Sequence, residues 1–196
     1  MYTIFESGLH GEREYDTLSW LADKHDTLWL GDEIDDNTAN ALCSQMLAKA
    51  KIKGPKHEMK LIINSDGGSV YSALSIAHFM ENIGLDIATY NIGRCCSAAA
   101  VLLTCGTKGK RYAIPTSTTM LHDVSTGVIG KYEDIRNDMK ETLRLRKLLM
   151  EIVVRRSKIS AEEVESLAFS RDRYFTAEEA LDAGLIDQII TGPFNV

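Results

Sequence analysis

The residues best suited to chemistry sit where strands hand over to turns. Ser97 closes the stretch Ile92-Gly93-Arg94-Cys95-Cys96-Ser97, between a β-branched run at 87–92 and the apolar residues 98–103. That pattern predicts a strand ending at Gly93, a turn, and a helix of small residues beginning near Ser97. A serine there has two readings. Its oxygen can cap the free N–H groups of the first helical turn. Alternatively it is a nucleophile, with the same N–H groups and the positive helix end steadying an oxyanion. Asn64-Ser65-Asp66-Gly67-Gly68-Ser69 forms a second strand-end turn, whose paired glycines permit positive φ and close approach of a ligand to the backbone. A phosphate could sit at such a turn, but neither G-x-G-x-x-G nor G-x-x-x-x-G-K-[ST] is present, which argues against a nucleotide site. His122 ends the β-rich run Thr118-Thr119-Met120-Leu121, where an imidazole serves either as an acid–base group or as a plain polar side chain. Asp172 lies in the mixed link Arg171-Asp172-Arg173-Tyr174-Phe175, where a surface ion pair with either arginine is the simpler reading.

Other chemistry is disfavoured. Cys43, Cys95, Cys96 and Cys105 lack C-x-x-C or Cys/His ligand spacing, so they read as reduced, buried thiols and no metal is expected. The adjacent Cys95-Cys96 pair is ill placed to close a relaxed disulfide. His10, His25, His57 and His78 stand among mixed or helical neighbours and read as surface or packing residues. A formal net charge of −6 argues against nucleic acid or an anionic membrane surface as the main partner. Apolar runs fall well short of a bilayer span. Residues 1–15 carry acids and no apolar core, so neither a secretory nor a transit signal is expected there, and the reduced cysteines point to a cytoplasm-like compartment.

The elements that must position these groups alternate between strand and helix. Residues 1–15 show no periodicity and are expected to be mobile. Asp16 is placed to cap a short helix, Thr27-Leu28-Trp29-Leu30 reads as a buried strand, and Asp35-Asp36-Asn37 opens a helix that Gly54-Pro55 ends. A strand at 59–63 precedes the glycine turn, and Ser69 caps a helix over 70–83. The unit then repeats, with strand 86–92, a turn, and a helix over 97–105. Short strands follow at 111–114 and 118–121, with an exposed link at Gly127 and Gly130. A helix over 132–156 would be roughly 37 Å long, more than so small a core needs, so its overhang predicts an oligomer contact. Two capping boxes, Ser160-Ala161-Glu162-Glu163 and Thr176-Ala177-Glu178-Glu179, finish a single α/β domain over 16–196.

The order of these motifs resembles the ClpP family, the proteolytic subunits of ATP-dependent Clp proteases. The resemblance rests on Gly31-Asp32-Glu33-Ile34-Asp35-Asp36-Asn37, Ile63-Asn64-Ser65-Asp66-Gly67-Gly68-Ser69-Val70, Ser97 after Gly93, and Met120-Leu121-His122. Arg171-Asp172-Arg173 and Glu179-Ala180 followed by Gly184-Leu185-Ile186-Asp187 complete it, from about Gly11 to Ile190. It implies a crotonase-like fold of stacked βαβ units, with a protruding long helix and strand for ring–ring contact. It also implies a serine endopeptidase with Ser97 as nucleophile, His122 as general base and Asp172 orienting the imidazole. The backbone N–H groups of Gly68 and Ala98 would form the oxyanion hole. Seven-membered rings would pair into a tetradecamer, with residues 1–15 lining an axial pore where an AAA+ unfoldase delivers unfolded polypeptides. Any ATP would be used by that partner, no cofactor by this chain, in the cytoplasm or a plastid stroma.

Three departures from the family pattern stand out. Ala98-Ala99 replaces a Met-Gly pair after the serine, which opens the pocket beside the nucleophile. Asp66 replaces a proline before the glycines, and Asp123-Val124 replaces a Gln-Pro after the histidine. Asp123 could compete to orient His122, but neighbouring side chains of an extended chain point to opposite faces, which favours Asp172. Two alternatives of other classes remain at this point: a non-catalytic subunit of a mixed ring, and a crotonase-type acyl-CoA enzyme working through carboxylates.

Overall fold

The computed structural model describes residues 3–8, 11–168 and 171–192; His10 lies outside them. In chain order the elements are β1 (Thr3–Gly8), β2 (Gly11–Asp16), α1 (Thr17–Lys24), β3 (Thr27–Leu30), α2 (Asp36–Lys53), β4 (Glu58–Ser65) and α3 (Val70–Asn82). They continue as β5 (Asp86–Cys96), α4 (Ala98–Thr104), β6 (Arg111–Ala113), β7 (Thr118–Leu121) and α5 (Tyr132–Arg156). The chain closes with α6 (Ala161–Glu163), a π-helical turn (Val164–Ala168), β8 (Arg173–Phe175), α7 (Ala177–Asp182) and β9 (Gln188–Ile189).

Strands β3, β4, β5, β6 and β9 lie side by side in parallel, with α2, α3 and α4 linking the first four, and β7 and β8 extend the same sheet beside β5. Parallel strands are buried on both faces, and β4 and β5 are accordingly buried along runs of consecutive residues, Leu61 to Ile63 and Ile87 to Asn91. Leu61, Ile63 and Ile87 face the main core with Met46 of α2, Ile76 of α3 and Leu102 and Leu103 of α4, all at 1% exposure or less. Each such side chain contributes roughly 1.5–3 kcal/mol by leaving water. The other sheet face holds a small cluster of Ile62, Ala88 and Tyr90.

Start signals in the sequence are realised as side-chain caps. Asp16 accepts from the N–H groups of Leu18 and Ser19, Asp35 from Thr38, and Ser69 from Ser72. Both capping boxes close reciprocally, Ser160 with Glu163 and Thr176 with Glu179. Cys95, Cys96 and Cys105 are buried free thiols, and burial pushes the Cys105 thiol up to about 12.

Several expectations need correction. Thr3–Gly8 and Gly11–Asp16 form an antiparallel hairpin where no regular structure was expected. The hairpin is tied down by Glu6, which accepts from Trp20 Nε1 (2.9 Å) and pairs with Lys24 (3.1 Å) of α1. Strand β5 does not stop at Gly93 but runs on to Cys96. Gly93 has a packing reason rather than a turn: a Cβ there would sit 2.6 Å from Asn64 Oδ1. The link around Gly127 and Gly130, read as exposed, pairs with no strand among the described residues.

Candidate active site

Ser97 follows directly on β5. Beyond a register shift between Ile63 and Ser65, the last residues of β5 leave β6 and pair instead with β7, Arg94 with Thr118 and Cys96 with Met120. The Ser97 N–H donates to Met120 O (2.8 Å), which locks the elbow to the end of β7. Two residues further on stands His122, and its Nε2 lies 2.7 Å from Ser97 Oγ. Pairing of β7 with β8 is antiparallel, with Leu121 opposite Arg173. One step beyond that pair brings Asp172 opposite His122, where Asp172 Oδ1 is 3.5 Å from His122 Nδ1. Two strand registers therefore gather a hydroxyl, an imidazole and a carboxylate from positions spread over 76 residues.

The backbone at Ser97 is strained, with φ 55° and ψ −126°. Non-glycine residues rarely adopt such angles, and they persist where surrounding structure enforces them, often at functional sites. Ser97 stands just before α4 in the capping position, yet its side chain makes no cap hydrogen bond. Of its two sequence readings, the cap is the one the structure contradicts: the hydroxyl is turned to the imidazole instead.

The glycine turn packs against this elbow. Gly67 (φ 101°) has no room for a side chain, because a Cβ would meet Cys96 O at 2.7 Å and the Ser97 Cβ at 2.8 Å. Gly68 (φ 149°) is pressed on Ile34, whose O would lie 2.3 Å from a Cβ at 68. Ile34 N–H donates to Gly67 O and Ser69 N–H to Ile34 O, so the Gly68 N–H takes no part in that bridge. Ala98 opens α4, where an N–H has no partner one turn back. Among the described residues neither amide donates a hydrogen bond, and both residues line the same cleft as Ser97 and His122.

That cleft measures about 260 Å³, with apolar walls from Val70, Val101, Leu149, Val153 and Val164. Its rim carries Asp66, paired with Arg94 (2.7 Å), and Asp123, paired with Arg146 (3.0 Å). Asp123 is thus engaged by an arginine and leaves the imidazole to Asp172. Of the other described histidines, His25 packs on Trp20, His57 pairs with Asp26 and His78 contacts Asn82. Sequence reasoning missed Arg146, whose role depends on contacts across the chain, whereas Gly67 was marked by the paired-glycine turn. No group of three or more metal-ligating side chains occurs among the described residues.

Such an arrangement can move a proton from Oγ to Nε2 while Oγ attacks a carbonyl, with two amide donors beside it for the developing oxyanion. The 3.5 Å approach of Asp172 exceeds a normal hydrogen bond, a looseness common before substrate is bound. With this geometry in hand, the comparison with known families is informative: the model of the Clp protease family matches residues 9–193, and the chain belongs to that family of peptidases.

Proposed function

We propose that the chain is a serine endopeptidase that cuts unfolded polypeptides through an acyl-enzyme on Ser97. His122 accepts the serine proton and returns it to the leaving amine. Asp172 holds the imidazole in the required tautomer and steadies its charge. The amides of Gly68 and Ala98 bind the oxyanion. The observation that carries this reading is the 2.7 Å contact between Ser97 Oγ and His122 Nε2 at a strained elbow that leaves the serine uncapped. Apolar walls beside the serine suit an apolar substrate side chain at the residue supplying the scissile carbonyl.

The chamber belongs to the same proposal. Two heptameric rings would enclose the sites, with residues 1–15 at the axial pore and an AAA+ unfoldase supplying the ATP-driven step. Support comes from α5, where Tyr132, Ile135, Met139 and Leu143 form an exposed apolar stripe at helical spacing, with Ile129 fully exposed before it. The link at 123–131, whose backbone joins no strand among the described residues, would pair with a second copy. A cofactor-free reaction in the cytoplasm or a plastid stroma fits this scheme.

Hydrolysis of a fluorogenic peptide tests the reaction. The wild type should turn over, and Ser97→Ala should lower the rate by about 10⁶-fold, because members of such a triad act as a unit. Equal rates for both proteins would dismiss Ser97 as nucleophile.

A further inference from the structure

Arg146 differs from its neighbours on α5. Arg144 is 55% exposed and pairs with Glu141 of its own helix, an ordinary surface arrangement. Arg146 is 21% exposed and reaches across to two other segments. Its Nε lies 3.0 Å and 3.2 Å from the two oxygens of Asp123, and its Nη2 3.1 Å from Glu165 Oε1. Asp123 is the residue after His122, and its Oδ1 also accepts from the Val124 N–H (2.7 Å). Glu165 sits in the π-helical turn, on the segment that leads to Asp172. One guanidinium therefore joins the segment that carries the imidazole to the segment that delivers the carboxylate.

Resting on the serine-peptidase reading above, we propose that Arg146 is a positioning residue for the His122–Asp172 pair. At 3.5 Å the Nδ1–Oδ1 approach is just beyond hydrogen-bonding range, so a small slip of either segment decides whether it forms. Only three residue pairs connect β7 to β8, and Arg146 braces the two segments beyond them.

The experiment compares wild type, Arg146→Met, Arg146→Lys, Asp123→Asn and the Asp123→Asn/Arg146→Met double variant. Rates are expressed per active site titrated with a fluorophosphonate, which removes any contribution from unfolded protein. Arg146→Met should lose about 10- to 100-fold in kcat/KM, carried by kcat with KM little changed, because the substrate cleft stays intact while the imidazole and carboxylate are held less firmly. Arg146→Lys, which lacks the planar fork that spans both carboxylates, should recover only part of that rate. Asp123→Asn breaks the same brace from its other end, so it should lower kcat in the same way, and it reports even if Arg146→Met fails to fold. The double variant should lose no more than the larger single loss, since the two residues act through one contact. A full rate per titrated site in Arg146→Met or in Asp123→Asn, or single losses that add in the double variant, would overturn the proposal while leaving Ser97 as nucleophile. A wild type that takes up no fluorophosphonate would instead overturn the peptidase reading and the proposal together.

Discussion

A single methyl group decides much at the glycine turn. Gly68→Ala would place Cβ 2.3 Å from the carbonyl oxygen of Ile34 at a φ that L-residues rarely adopt. Neither atom belongs to a flexible side-chain end, so the backbone must shift, and with it the amide beside Ser97. Peptide hydrolysis should fall by about 10²- to 10³-fold, the usual effect of losing one oxyanion donor, while Ser97 stays chemically intact. Full activity in that variant would remove Gly68 from the oxyanion hole. Ala98 makes the opposite case, since its own backbone supplies the amide and its small side chain leaves the cleft open. Ala98→Met should shift preference toward smaller side chains before the scissile bond, changing relative kcat/KM across a peptide series by about tenfold. At this scale the sequence was legible mainly through ordered motifs. The chemistry of Ser97, His122 and Asp172 cannot be read from any one of them, because two strand registers bring them together. Gly67 was visible as one of a glycine pair, whereas Arg146 left no local signal at all.

Among the elements, caps and apolar periodicity were the most readable features. Asp16, Asp35, Ser69, Ser160 and Thr176 each cap the helix that their side-chain chemistry announces, and α5 spans 132–156 as its pattern predicts. Strand ends were less legible. Gly93 looks like a breaker but lies within β5, where Asn64 fills the space of its missing side chain and accepts from the Arg94 N–H (3.2 Å). The hairpin β1–β2 escaped notice because charged and apolar residues mix along it and its anchor, Glu6, binds a different element. Strands β6 and β9 are joined by a side-chain pair that the sequence also hides. Asp187 accepts from Arg111 Nε (2.8 Å) and Nη2 (2.6 Å) and from the N–H of Gly109 (2.7 Å). Burial acts to raise the Asp187 carboxyl, but the hydrogen bonds and charge of Arg111 outweigh it and hold the group below its ordinary value. A lowered carboxyl contributes stability above its unfolded value of about 4 and loses it as pH falls through the folded value. Thermal unfolding should therefore drop from about pH 4 downward. Asp187→Asn should cost about 3–5 kcal/mol at neutral pH by stranding a buried guanidinium, and its acid drop should be shallower. A neutral-pH melting point equal to wild type would refute this role.

For the molecule as a whole, the pattern of exposure is as informative as the core. The N-terminal half of α5 projects beyond the core, since its buried residues, Leu145, Leu149 and Val153, all belong to the C-terminal half. An exposed stripe of Tyr132, Ile135, Met139 and Leu143 marks a face built to meet another surface. Leu143→Glu would place a carboxylate on that stripe. If α5 joins two rings as proposed, the fold should stay intact by circular dichroism while the native mass halves. An unchanged native mass would contradict the ring–ring role of α5. The length of this helix was legible in the sequence, and its overhang was the ground for expecting an oligomer contact.

At every scale the account rests on the activation of one hydroxyl by one imidazole. Intact-mass and peptide-mapping analysis after treatment with a fluorophosphonate tests this most directly. The account predicts a single adduct on Ser97 in the wild type and a loss of labelling by orders of magnitude in His122→Ala. An unlabelled wild type, or equal labelling in His122→Ala, would contradict it.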